Sequence, residues 1–338
     1  MTHHADPLTV EVTRGDLVES RHLVDAAVAV ADGALVAGWG DIARHVYPRS
    51  AIKPLQAIPL LATGAAEAYG LGEREIALAC ASHMGEAIHI NTVTRWLEHI
   101  ECSLADLECG VHAPRNEAAY DALIRSGAAC TTAHNNCSGK HTGFLTTARY
   151  LKEQTAGYIG ADHPVQQRLA ALLAELGGED LDTTERGIDG CGIPVLGMPL
   201  NALARAMARM AAPETLDPPR ADAVRRIVAA MTAYPEMVRG TGGFDTILMT
   251  AGKGRFATKT GAEGVHIAIV PERRIGIAVK VRDGAGRASE VALLALLDDL
   301  GLIDNNVRGR LGATAAPEVI NAAGRVVGTI RMADGWRG

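Results

Sequence analysis

The stretch V-H-I-A-I-V-P-E-R-R-I-G-I-A-V-K-V, residues 265–281, decides the fold class. Two runs rich in Val and Ile flank P-E-R-R, the pattern of two strands joined by a short turn. Ahead of this hairpin, 245–250 and 255–260 also read as strands. Behind it, 287–300 reads as a helix and 318–331 as a final strand pair. The other end of the chain is similar. L-T-V-E-V-T alternates from residue 8, L-V-D-A-A-V-A-V-A runs to Asp32-Gly33, and A-L-V-A-G-W-G returns. Asp-Gly is a tight hairpin-turn signal. Between these ends, residues 51–178 read mostly as helix, at 73–81, 88–100, 117–126, 142–154 and 163–177. A Gly-rich loop at 179–198 and helices at 199–210 and 218–233 follow. This order lacks the strand–helix alternation of a parallel sheet. It predicts an α+β (mixed α/β) fold whose antiparallel sheet is built from both chain ends, 8–48 and 240–332. A mainly helical region, 49–239, is inserted, and residues 1–338 form a single unit.

The 338 residues carry a net charge of −6, with 48% hydrophobic and 21% charged. Such a chain buries a core without covalent staples. The acidic balance argues against a nucleic-acid partner, which asks for a basic stripe. No apolar run is long enough to cross a membrane, and M-T-H-H-A-D-P lacks the basic and apolar regions of a signal peptide. A cytoplasmic location is expected. The six Cys are too few for a disulfide scaffold and are then free thiols. Of the 33 basic residues only six are Lys. Lys, unlike Arg, can lose its proton when buried, so each Lys merits separate inspection.

R-S-A-I-K-P, residues 49–54, opens the helical block. Pro54 belongs in a first helical turn, which places Ser50 at the cap and Lys53 three residues on, its amine within reach of the hydroxyl. A neutral amine is needed to take that proton, and burial and a helix N-terminus both push a Lys toward neutrality. An N-cap Ser followed by a solvated Lys would show the same spacing. K-T-G at 259–261 ends a strand; in serine enzymes with S-x-x-K nucleophiles, such a strand borders the active site. C-A-S-H-M-G-E, residues 80–86, offers a second serine, Ser82, and reads equally as a helix C-terminal loop. H-N-N-C-S-G-K-H, residues 134–141, precedes a helix expected to begin near Thr142, and I-D-G-C-G-I-P spans 188–194. Two Cys on separate loops, with His134, Lys140, His141 and Asp189 close in sequence, suit a thiophilic metal such as zinc. A Cys nucleophile with a His base, and small buried apolar Cys, remain open beside it.

Together Y-P-R-S-A-I-K-P-L-Q, C-A-S-H-M-G-E, H-N-N-C-S-G-K-H, I-D-G-C-G-I-P and K-T-G-A-E-G-V, in this order, resemble the rhizobial-type (thermolabile) L-asparaginases of the asparaginase II family. The resemblance spans about residues 8 to 330. It implies a fold similar to serine β-lactamases and penicillin-binding proteins, and hydrolysis of L-asparagine to L-aspartate and ammonia. It implies Ser50 as nucleophile with Lys53 as its base, and Ser82 with Lys259 as a second Ser–Lys tandem. Cys137, Lys140 and Cys191 are implied as a zinc site, one ion per chain, and a homodimer as the assembly. Asp189 and His141 are the adjacent polar residues of those motifs. Asp189 suits the substrate's α-amino group, and Arg49 suits a carboxylate by its charge. Two rivals stand beside this reading: a penicillin-recognising serine hydrolase or peptidase, and a non-catalytic zinc-binding protein on the same fold. Glutamine is a further candidate substrate, since one methylene gives only about 1–3 kcal/mol of discrimination.

Overall fold

The computed structural model describes residues 2–337. Its main sheet has nine strands: β1 (Thr2–His4), β2 (Leu8–Arg14), β3 (Leu17–Val30), β4 (Leu35–Trp39), β5 (Ala257–Thr260), β6 (Val265–Val270), β7 (Ile275–Val281), β8 (Glu318–Ile320) and β9 (Val326–Met332). The path runs β8-β9-β2-β3-β7-β6-β5, every neighbour antiparallel. β4 pairs with β3 and carries β1 in parallel. The sheet is thus assembled from both chain ends, as the sequence order predicts. Between them stand the helices, among them α1 (Lys53–Gln56), α2 (Ser138–Tyr150) and α3 (Leu200–Ala211). After them come α4 (Phe244–Gly252) and α5 (Gly286–Asp299).

Both faces of the central strands are covered, and the two faces differ in side-chain size. On β7, Ile275, Ile277, Val279 and Val281 join the core under α4 and α5, while Ala278 joins the core of the helical block. On β3, Val24, Ala26 and Val28 face the first core, Ala27 and Ala29 the second. Successive residues of a strand point to opposite faces, so these runs sort themselves by size. The small-residue face admits α3 at close range. A Cβ on Gly276 would lie 2.2 Å from the backbone of Ala204 and of Ala208 on that helix.

Two local expectations are corrected. Residues 245–250 form part of α4, not a strand. Thr, Ile and Leu there suggest β structure, yet Phe244, Asp245, Leu248, Met249, Ala251 and Gly252 are the buried positions, a helical spacing. The helix expected near Thr142 begins at Ser138, so Lys140 and His141 ride on α2 and not on the loop before it. Every residue of α2 from Ser138 to Ala148 is buried, so an amphipathic period is missing and its start was unmarked.

Candidate active site

Ser50 lies within a 3-10 turn, Arg49–Ile52, that runs into α1, with Pro54 the second residue of that helix. Pro48 takes the cap position, so Ser50 is not the N-cap the spacing suggests. Arg49, just before it, has φ 52°, a left-handed backbone that is strained for a side chain of this size. The end of β5 lies against this turn. A Cβ on Gly261 would meet the Pro48 carbonyl at 2.9 Å and the Ala51 amide at 3.2 Å, so only glycine lets K-T-G approach so closely.

Strand alternation aims the β5 side chains. Lys259 aligns with Ile267 on β6, which aligns with Ala278 on β7, so its amine enters the helical side of the sheet. There it donates to Ser82 Oγ at 2.9 Å and to the Thr260 carbonyl at 2.5 Å. Thr258 and Thr260 point the other way, to Asp245 on α4. Asp245 is fully buried and accepts from Thr258 Oγ1, Thr260 N and Oγ1, and His266 Nε2 at 2.7–2.9 Å. Against its burial, the charges of His266, Lys259 and Arg239 hold the Asp245 carboxyl well below the usual carboxylate range.

Lys53 is 1% exposed. Its amine donates to the Ala81 carbonyl at 2.5 Å, Ser82 Oγ at 3.0 Å and Cys137 Sγ at 3.2 Å. The contact expected with Ser50 is absent from this set. Ser50 takes no side-chain hydrogen bond among the described residues, and the hydroxyl gripped by both lysines is that of Ser82. Burial lowers both amines. The neighbouring Lys140 adds to this at Lys53, and Lys53 adds to it at Lys259. Two like charges so close in a dry site favour at least one neutral amine.

Cys137, Asp189 and Cys191 place their ligand atoms within 4.8 Å of one another. Lys140 donates to Cys191 Sγ at 3.1 Å. Hydrogen bonding to Cys191, helped by Lys53 and Lys140, holds the Cys137 thiol well below its ordinary range despite burial. The same contact, with burial, pushes Cys191 up. Burial also works against the Lys140 charge, yet the two sulfurs outweigh it and raise its pKa. Two sulfurs and a carboxylate on converging side chains could hold a metal ion. Asp189, read in the sequence as a substrate contact, here belongs to the donor cluster. Its other oxygen accepts from Arg49 Nε at 2.5 Å, so Arg49 and Asp189 hold each other. Lys140, then the Arg49 hydrogen bond, carry the Asp189 carboxyl down to about 2 against the effect of its burial.

These motifs stand in one chain with the fold just described. The chain matches the family described as L-asparaginase II over residues 10–332. It belongs to that family. No curated protein matches it closely enough to be reported. Among solved structures it is similar to one titled Mglu in its native form, at 16% identity and TM-score 0.47, covering 87% of this chain and 68% of that one. It is also similar to the D-alanine carboxypeptidase AmpC from Burkholderia cenocepacia, at 14% identity and TM-score 0.36, covering 86% and 92%. Likenesses this loose carry no argument about activity.

In this family member one cleft of about 640 Å³, counting the part open to solvent, is lined by Ser50, Ser82, Cys137, Asp189, Cys191 and Thr260, among others. Arg49, Ser50, Lys53, Lys140 and Asp189 also line a second, more apolar cavity against Leu169 and Leu173. His141 lines neither cavity. It is buried, with Nδ1 2.7 Å from the Tyr158 hydroxyl, and burial keeps it neutral. Two arginines of the first cleft, Arg115 and Arg239, were not read from the sequence. The one available signal was R-G-T-G-G-F-D, residues 239–245, a charged residue before a run of glycines.

Proposed function

We propose that the protein is an L-asparagine amidohydrolase that releases L-aspartate and ammonia through a Ser–Lys nucleophile. One observation carries this reading: Ser82 Oγ sits between the buried amines of Lys53 and Lys259, at 3.0 and 2.9 Å, in the cleft that Ser50 also lines. Ser50 is the attacking hydroxyl, because it is free of partners and open to the cleft. Its proton passes to the lone pair of the neutral Lys53 amine, whose two N–H groups keep two of its three present partners. The Ser50 oxygen bonds to the side-chain carbonyl carbon, the carbon–nitrogen bond breaks, and Ser82 delivers a proton to the departing ammonia. Lys53 then passes the proton it took from Ser50 to Ser82, so that one proton is moved in all. Water then hydrolyses the aspartyl ester.

Zinc is the ion that the soft sulfur donors favour, with Cys137, Lys140, Cys191 and Asp189 as its holders. When bound it would supply positive charge beside the substrate, and the serine makes a metal hydroxide unnecessary. Free thiols that serve as ligands ask for a reducing compartment, which supports a cytoplasmic location. No helix among the described residues is long and apolar enough to cross a membrane. A homodimer is proposed as the assembly. The helix Glu117–Ser126 supports it, burying none of its residues and leaving Tyr120 and Ile124 exposed at i,i+4.

The test is ammonia release from L-asparagine, L-glutamine and small peptide amides, with and without a chelator, beside labelling by a tagged penicillin. The reading expects ammonia from asparagine and no penicillin label. Labelling without ammonia would overturn it in favour of a penicillin-recognising hydrolase.

A further inference from the structure

The loop Ser82–Glu86 is held from both sides. The Arg115 and Asn116 amides donate to the Met84 carbonyl, each at 3.0 Å. On the opposite side the Ser82 amide donates to the Val238 carbonyl at 2.9 Å, and Thr241 binds the Glu86 carboxylate through its amide and hydroxyl. Each flanking segment brings one arginine into the cleft, Arg115 and Arg239. Arg239 reaches it because residue 243 is glycine: a Cβ there would fall 2.4 Å from the Arg239 Cγ.

Neither guanidinium has a carboxylate close enough to pair with it among the described residues, although Arg49, which lines the same cleft, is paired with Asp189. Arg239 Nε is buried without a partner, and its Nη1 only approaches the Ser82 carbonyl, at 3.5 Å. Arg115 is exposed and Arg239 half-buried; partial desolvation, and then the charge of Arg239, lowers the Arg115 pKa. Two cations facing one cavity with no carboxylate within pairing distance repel each other, and an anion placed between them removes that repulsion. Guanidinium groups bind carboxylates through paired hydrogen bonds.

We propose that Arg115 and Arg239 form the pocket for a carboxylate of the substrate, so that the protein selects amides bearing an anionic group a short carbon chain from the scissile amide. This rests on the amidohydrolase reading and adds to it where the anion binds. Arg49 is left to Asp189, and the carboxylate lies on the Ser82 side of the cleft. The pocket selects by charge: an amide lacking the carboxylate leaves both arginines without an anionic partner in the cleft.

The experiment compares kcat/KM for L-asparagine with that for β-alaninamide, its analogue without the carboxylate, in the wild type, R115Q, R239Q, R239K and R49Q. Binding of L-aspartate to the same proteins is measured by calorimetry. The proposal expects the asparagine preference to fall at least tenfold in R115Q and in R239Q, with partial recovery in R239K, and aspartate binding to weaken in parallel. An unchanged preference in both glutamine variants, or a collapse confined to R49Q, overturns it. If asparagine is not hydrolysed at all, the amidohydrolase reading fails by itself. Aspartate binding then decides the pocket: binding lost in R115Q, on the outer loop, supports it, and binding absent from the wild type or equal in all proteins overturns it.

Discussion

Lys53, Lys140 and Lys259 are buried in a chain with only six lysines, while Lys152 and Lys253 are exposed. The buried three all lie in the motifs that carry the proposed chemistry, whose base must be able to lose its proton, as Lys53 can and a guanidinium cannot. Arg at Lys53 keeps a charge but cannot act as a base, so Lys53→Arg is expected to lower kcat by about 100-fold or more. Lys152→Arg is expected to leave ammonia release unchanged. The pH–rate profile follows from the same group. Burial lowers the Lys53 pKa, and in the proposed reaction only its neutral form accepts the Ser50 proton, so the rate should rise with pH through that lowered value and then level off. A rate that falls over the same range would place the base elsewhere. The sequence marked Ser50, Lys53, Ser82 and Lys259 because each sits in a short motif. Arg115 and Arg239 went unread because they become neighbours only where separate loops meet the Ser82 segment. The pairing of Lys53 with Ser82 is likewise a tertiary fact that S-x-x-K spacing cannot contain.

At the scale of elements, β7 and α3 approach so closely that Gly276 has no room for a methyl group. Gly276→Ala must push the helix away, and a loss of about 3 kcal/mol on chemical denaturation is expected. The contact between α4 and β5 depends on Asp245, which gathers Thr258, Thr260 and His266 behind Lys259. Asp245→Asn exchanges an acceptor for a donor in that cluster, and a loss of about 3–5 kcal/mol is expected. The folded carboxyl titrates below its unfolded value, so its stabilisation is present above the usual carboxylate range and is lost as the pH falls through and below it. Asp245→Asn should therefore flatten the acid limb of the stability curve. The strands at both ends were legible because alternation and Val/Ile runs survive in them. The stretch 245–250 reads as a strand because its Thr, Ile and Leu favour β structure, while the buried set that marks a helix includes the polar Asp245 and so shows no apolar period.

For the whole molecule, the sheet closes only when the last strands join the first: β9 pairs with β2, with Ile330 opposite Val12. Deleting residues 318–337 uncovers that edge of β2, and loss of cooperative unfolding is expected by circular dichroism. The cleft lies where this sheet meets the helical block, so Lys259 from a late strand and Lys53 from an early helix reach one hydroxyl. Removing a bound ion with a chelator should lower the melting temperature, and Cys191→Ser should lower the metal content per chain, read by elemental analysis. The most direct measurement is ammonia release from L-asparagine by purified wild type and Ser50→Ala, both shown to be folded. The account predicts steady release by the wild type and loss of nearly all of it in the variant. Release by Ser50→Ala at close to the wild-type rate would contradict it.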